Sequence, residues 1–188
     1  MTIILAIDAG TTGIRTLAVD EYGDILSSSY KEFRQYFPEP GWVEHDAEEI
    51  WNSVQRTMAD VVATLSQPVA AIGITNQRET AVVWDRETSL PLYRALVWQD
   101  RRTASRCTDL ENEGLLSTVR ESTGLILDPY FSGTKFEWIL NNIPKKKNLA
   151  LGTIDSWLVW KLTGGKVHAT DASNASRTML LNIDALEW

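Results

Sequence analysis

Residues 3–26 read IILAIDAGTTGIRTLAVDEYGDIL, and this stretch decides the fold. An apolar run from Ile3 to Ile7 stops at Asp8. Ala9 and four small residues follow, Gly10, Thr11, Thr12 and Gly13, before a second apolar run from Ile14 to Val19. Each run is short and bounded by turn residues, so each reads as a buried strand. DEYGD is a turn with Gly23 at its tip, and Ile25 to Phe33 reads as a third strand. Strands joined by turns this short are antiparallel neighbours.

The first turn has a chemistry of its own. Backbone N–H groups in a tight turn and small hydroxyls bind phosphate well, whereas bulky side chains hold it away. Gly10 allows close approach, Thr11 and Thr12 offer hydroxyls, and Arg15 adds a permanent positive charge. A carboxylate repels phosphate, so Asp8, read as lying on the buried side, fits only with a hydrated Mg²⁺ between the two. The competing reading is a plain hairpin with an exposed turn. It is not a Walker loop, which needs Gly-Lys-Ser/Thr before a helix.

Outward from the hairpin, FPEPGW (37–42) is a loop, since two prolines and a glycine forbid regular structure. Asp46 reads as a helix N-cap, with Glu49 in the capping-box position. Ile50, Val54, Met58, Val61 and Leu65 form one apolar stripe, ended by Pro68, and Val69 to Thr75 reads as a buried strand. Three meandering strands, a helix and a strand match, by fold-level analogy, the opening of an α/β ribonuclease-H-like core, shared by actin, the Hsp70 chaperones and many sugar kinases. Thr80–Asp85 and Leu92–Val97 are predicted strands around RETS. Thr103–Glu113, Leu115–Ser122, Thr134–Asn142 and Asp155–Leu162 are predicted helices, with Gly164 and Gly165 as a stop. PKKKN (144–148) reads as a solvated loop.

Composition narrows the function. The chain has 188 residues, with 44% hydrophobic, 23% charged and a net charge of −7. That balance suits a globular protein and argues against nucleic acid. Cys107 is alone, so no disulfide framework exists and a reducing, cytoplasmic location is expected. The first apolar run lacks a basic leader, and no run reaches the ~20 residues of a membrane helix.

Polar residues then gather at strand ends. GITNQRETAVVWD (73–85) sets Arg78 beside Glu79 in a turn, where a cation and a carboxylate can converge on neighbouring hydroxyls of a polyol. A charged surface turn is the alternative. ALVWQDRRT (95–103) ends a strand on Trp98, a flat wall for C–H groups or a core ring. TGLILDPYFSGTKFEW (123–138) carries Tyr130 in a loop, able to give one phenolic O–H to a ligand or simply to pack. Trp51, Trp157 and Trp160 are assigned to packing. His45 and His168 lack metal-ligand spacing and are assigned surface or hydrogen-bonding roles. Asp155 is expected to cap a helix. Asp171, in a polar loop, is a further candidate.

Long stretches resemble the glycerol kinase branch of the FGGY carbohydrate kinases: FPEPGWVEHD, AIGITNQRET, LVWQDRRT, TGLILDPYFSGTK, GTIDSWLVWKLTGG and HATDASNASRTMLLNI, covering nearly the whole chain. DAGTTGIR resembles the first phosphate motif of the wider superfamily. The resemblance implies an ATP- and Mg²⁺-dependent transfer of phosphate to glycerol. It implies that Arg78, Glu79 and Tyr130 hydrogen-bond glycerol and that Trp98 packs on its carbon chain. It implies that Gly10, Thr11, Thr12 and Arg15 lie near the nucleotide phosphates and Asp8 near the metal. The chain departs from the family pattern at Ala9, where Gln is usual, and at Gly13 and Ile14, where serines are usual. The family's general base, an Asp in a GDQ stretch, lies downstream of Trp188, so residues 1–188 are expected to be a truncated N-terminal kinase domain with no catalytic residue and no adenosine-binding domain. Apolar surface left open is expected to drive self-association into a homo-oligomer. The alternatives are a kinase for another small polyol or sugar, and a non-catalytic relic of the fold.

Overall fold

The computed structural model describes residues 2–188. Its elements run β1 (Ile3–Ala9), β2 (Gly13–Val19), β3 (Ile25–Glu32), β4 (Gln35–Tyr36), β5 (Glu44–His45), α1 (Ala47–Val62), β6 (Val69–Asn76), β7 (Val82–Asp85) and β8 (Ala95–Leu96). They continue through α2 (Ala104–Asn112), α3 (Leu116–Thr123), α4 (Ser132–Asn142), β9 (Leu149–Gly152), α5 (Ile154–Leu162) and α6 (Ala172–Ala175). The chain divides into two units.

The first unit holds residues up to Gln35 and Asp46–Gln77. Its sheet has the order β3-β2-β1-β6. The first three strands pair antiparallel as expected, and β6 returns parallel to β1. Period-two alternation buries Ile3, Leu5, Ile7 and Ala9 and exposes Ile4 and Asp8. The α1 stripe closes that face: Ile50, Val54 and Val61 are buried, and Met58, Leu65 and Val69 pack against Ile3, Leu5, Ala18 and Val61. Asp46 caps α1, its carboxylate accepting the N–H of Glu48 at 2.8 Å and of Glu49 at 3.3 Å. Such a cap is worth about 1 kcal/mol. The helix ends at Val62, before Pro68 is reached. Two buried hydroxyls, Thr16 and Thr57, satisfy each other at 2.8 Å.

The burial expected of β6 is not found. Ala70 to Gly73 are exposed, Ile72 by 41%. A continuous apolar run reads as a strand covered on both faces, but β6 is the edge of this sheet and α1 packs mainly on β2 and β3.

The second unit holds Tyr36–His45 and Arg78–Trp188. Here β5 pairs with β8 and β7 with β9, all antiparallel. The predicted hairpin around RETS exists in outline. Ala81 and Leu96 exchange both backbone hydrogen bonds at 3.0 Å, and Trp84 faces Pro91. Proline has no N–H for the ladder, so the second strand shrinks to Ala95–Leu96. The core gathers Ala81, Val83, Leu96, Phe136 and Ile139. A second aromatic cluster stacks Trp84 edge-on to Trp157 with centroids 5.4 Å apart. The predicted helices form as α2 to α5, and Gly164 and Gly165 stop α5 with φ of 61° and 80°. The PKKKN loop is exposed throughout, as expected, and makes an ion pair. Lys146 Nζ donates to Asp85 Oδ2 at 2.8 Å, and with the N–H groups of Thr88 and Glu87 it holds that carboxyl down at about 2. His45, assigned a surface or hydrogen-bonding role, is fully buried.

Candidate functional site

The chemistry-bearing residues fall into two groups, one in each unit. In the first unit, the β1–β2 turn carries Gly10, Thr11 and Thr12. Gln35 Nε2 donates to the Thr11 carbonyl at 2.8 Å, and Gln77 Nε2 to the Gly10 carbonyl at 3.4 Å. Phe33 N–H reaches the Thr12 carbonyl at 3.4 Å. With its carbonyls held from behind, the turn is fixed as a small-residue rim. A side chain at Gly10 would crowd the Gly13 carbonyl at 3.3 Å. Asp8 and Arg15 are cross-strand partners on the exposed face. Asp8 is therefore solvent-facing, which corrects its placement on the buried side. Alternation explains it, since Ile7 and Ala9 take the core face.

The positions where the chain departs from the family pattern have structural reasons. Ala9 and Ile14 are fully buried against the core. At Gly13 a Cβ would stand 2.5 Å from Tyr30 Oη and 2.8 Å from the Lys31 carbonyl, so only glycine fits beneath that tyrosine. The Arg15 guanidinium lies 5.4 Å from the Tyr30 ring centroid. Among the described residues no group of three His, Cys, Asp or Glu side chains could hold a metal. The donor set, a single exposed carboxylate near a turn suited to phosphate, fits a hydrated Mg²⁺ carried in with nucleotide.

In the second unit, Glu79, Trp98 and Tyr130 come together. The Trp98 and Tyr130 rings lie 5.5 Å apart at 56°. Tyr130 is held at both backbone ends. Its N–H donates to Asp128 Oδ1 at 2.8 Å, and its carbonyl accepts from Lys135 Nζ at 2.6 Å. Glu79 is 7% exposed, and Ser132 Oγ donates to its carbonyl at 3.1 Å. Arg78 beside it is exposed. The turn therefore leaves the cation exposed and the carboxylate buried.

Sequence reasoning missed two side chains here. Arg177 Nε donates to Glu79 Oε1 at 2.7 Å. Lys135 is fully buried, and desolvation pulls its ammonium down to about 7 against the opposing charges of Asp100, Glu79 and Asp128. Arg177 had no signal of its own, standing 98 positions from its partner. Lys135 had one: a lysine on the apolar side of a short helix needs buried acceptors.

Two candidate carboxylates have other work. Asp171 caps α6, accepting the Asn174 N–H at 2.8 Å. Asp155 is not a cap, because Thr153 precedes α5 in that position. Asp155 sits in the first turn, buried, accepting from the hydroxyls of Thr153 and Thr170, and burial pushes its carboxyl up. His168 Nε2 lies 2.9 Å from the Leu151 carbonyl and Nδ1 2.6 Å from Arg86 Nη2, so Nε2 donates and Nδ1 accepts.

Comparison with known proteins gives the family. Glycerol kinases of Chromobacterium violaceum and Trichlorobacter lovleyi are 54% and 56% identical over 98% and 100% of this chain, and the chain spans 39% and 40% of their lengths. The solved glycerol kinase of Plasmodium falciparum with ADP matches all of the chain, and 39% of its own, with a TM-score of 0.95 and 36% identity. A ligand-bound xylulose kinase from Lactobacillus acidophilus shares the fold, with a TM-score of 0.89 at 24% identity, over 100% of this chain and 38% of that one. These neighbours bear out the ribonuclease-H-like α/β reading. The model of the FGGY family of carbohydrate kinases, N-terminal domain, matches residues 3–188, and the chain belongs to that family.

Proposed function

We propose that the whole protein is an ATP-dependent glycerol kinase, moving the γ-phosphoryl group of ATP to a terminal hydroxyl of glycerol to give sn-glycerol 3-phosphate. The observation that carries this reading is the second-unit constellation. A buried carboxylate, Glu79, is joined through Arg177 to the Tyr130 ring, which lies against Trp98, and an exposed guanidinium, Arg78, precedes it in the chain. A polyol hydroxyl both donates and accepts, and its carbons are apolar. Glu79 accepts from ligand hydroxyls, Arg78 and the Tyr130 phenol donate to them, and Trp98 covers the C–H face. Phosphoryl transfer is chiefly positioning and charge stabilisation. In this chain that work falls to the polyol residues and to the Gly10, Thr11, Thr12 and Arg15 group, which suits nucleotide phosphates, with Asp8 toward a Mg²⁺ that neutralises their charge. The general base and the adenosine-binding domain belong to parts of the protein outside residues 1–188. Among the described residues no helix is long and apolar enough to cross a membrane. We place the protein in the cytoplasm, on its single cysteine, and propose that it is a homo-oligomer; apolar surface that parts outside residues 1–188 would cover should make the short chain self-associate.

Two variants of the whole protein test this reading. Glu79→Gln keeps the shape but loses the charged acceptor. A charge-assisted hydrogen bond is worth roughly 1.5–3 kcal/mol, so kcat/KM for glycerol should fall on the order of ten- to a hundredfold. Arg78→Ala should cost at least as much. Normal glycerol phosphorylation by both variants would make the turn a plain charged surface.

The phosphate rim has its own expected result. Thr12 is exposed at the turn, so Thr12→Val removes a hydroxyl without disturbing the core. The KM for ATP should rise severalfold while glycerol affinity stays within twofold. Equal loss of both would make the turn structural.

A further inference from the structure

Arg177 meets the polyol constellation from two directions at once. Its Nε donates to Glu79 Oε1 at 2.7 Å. Its guanidinium carbon lies 5.7 Å from the Tyr130 ring centroid and 4.9 Å from that of Phe131. A guanidinium is planar and delocalised, so one edge can hydrogen-bond while a face lies over aromatic rings. One side chain thereby ties together the carboxylate and the phenol assigned to the ligand.

The attachment of Arg177 is itself firm. Its N–H donates to the Asn174 carbonyl at 3.0 Å, continuing the turn of α6 that Asp171 caps. Thr178 Oγ1 closes the same turn on the Ala175 carbonyl at 2.6 Å. The following backbone lies hard against α4. A Cβ on Gly133 would stand 2.9 Å from the Thr178 carbonyl, so glycine is needed there for this approach. Gly133 also immediately follows Ser132, whose hydroxyl holds the Glu79 carbonyl. The side chain of Glu79 is thus held from the α6 side, and its backbone from α4.

The contact engages one carboxylate oxygen through one nitrogen. A two-pronged fork would occupy both oxygens and leave Glu79 no strong acceptor for a ligand. Held by Oε1 alone, the group is oriented and partly neutralised while Oε2 faces elsewhere, able to accept a hydroxyl. Arg177 itself is about one third exposed on its side chain, as expected at the rim of a site a small molecule enters.

We infer that Arg177 is the positioning residue of the polyol site. It sets the rotamer of Glu79 and the tilt of the Tyr130 ring so that both present their polar atoms to the same ligand, and it takes no part in proton or phosphoryl transfer. The inference rests on the glycerol reading and deepens it.

The experiment uses the whole protein and five forms of it: wild type, Arg177→Met, Arg177→Lys, Glu79→Gln and the Glu79→Gln/Arg177→Met double variant. Steady-state kinetics with glycerol and ATP varied separately give KM and kcat for each. Arg177→Met should raise the KM for glycerol on the order of tenfold, with the KM for ATP within twofold and kcat falling less than KM rises. Arg177→Lys keeps the charge but not the planar face, so it should recover only part of the loss. The double variant should be no worse than the poorer single variant by more than about twofold, because both act through one carboxylate. Fully additive losses, or a parallel rise of both KM values, would overturn the positioning role. Equal performance of the lysine and arginine forms would overturn the stacking part of it. A wild-type protein that fails to phosphorylate glycerol at all would overturn the substrate reading and this inference with it.

Discussion

Purified as residues 1–188, the chain is expected to form no glycerol 3-phosphate from glycerol and ATP above background, beside a whole protein that does. The reason lies in its carboxylates. A general base must stand within hydrogen-bond reach of the hydroxyl proton with an oxygen ready to take it. In the second unit Glu79, Asp100 and Asp128 each already hold at least one donor, and the oxygen Glu79 has left is assigned to binding the ligand. Glu79 accepts from Arg177, Asp100 from Arg102 and the Val43 N–H, and Asp128 from Arg101 and the Tyr130 N–H. Asp171 caps α6 and Asp85 is held by Lys146. Asp8, in the first unit, is exposed beside a turn suited to phosphate. Asp155 is raised by burial but spends both oxygens on the hydroxyls of Thr153 and Thr170. On the proposed kinase reading, which puts the base and the adenosine-binding part outside residues 1–188, positioning in the short chain is incomplete, and positioning supplies most of phosphoryl transfer. A coupled assay of glycerol 3-phosphate at equal concentrations of the two proteins gives the answer. Turnover by the short chain would overturn this account and make Asp155, not Asp171, the residue to replace first.

What could be read in advance depended on whether an interaction is local. The β1–β2 hairpin, the Asp46 cap and the helix stops at Gly124 and Gly164 are written within a few residues, and all formed. Periodicity also marked the face of α1 that meets the sheet. The errors arose where a neighbour distant in sequence decides. β6 has the apolar run of a covered strand, but its surroundings leave it an exposed edge. Asp171 looked like a functional acid in a polar loop because a cap on a four-residue helix has almost no periodic signature. The Lys146–Asp85 pair went unseen because its partners are 61 positions apart, although the loop is exposed as expected. The residues proposed to hold a polyol were picked out by type, since a cation, a carboxylate and two rings at strand and loop ends suggest that chemistry. The side chain that aligns them was not, because nothing in residues 168–183 says that Arg177 turns toward Glu79.

The buried Lys135 should make the stability of this fold depend on pH where most proteins are indifferent to it. Its ammonium has two acceptors, the Tyr130 carbonyl at 2.6 Å and the Phe131 carbonyl at 3.1 Å, and little else to replace water. Desolvation therefore lowers it from 10.5 to about 7 in the folded chain. Unfolded, the same lysine keeps its proton until about pH 10.4. Between those values the unfolded state binds more protons than the folded one, so stability rises with pH, and it falls as pH drops toward 7. From pH 7 to 8.5 one group with these limits contributes roughly 1.5 kcal/mol, a sizeable part of the stability of a small domain. Burial lowers His45 to about 4 and also lowers His168, so both act at and below the usual histidine range, and the Cys107 thiol, raised by burial, opposes the rise only as the unfolded thiol begins to ionise at the top of the window. The urea midpoint of the wild-type chain should climb across pH 7–8.5, and that of Lys135→Met should stay nearly flat. Lys135→Met fills the same space without a charge, at the cost of two carbonyls that lose a donor. A wild-type midpoint that does not move, or a variant that climbs just as steeply, would mean that Lys135 keeps an ordinary proton affinity and that its burial is relieved by motion of the Tyr130–Phe131 loop.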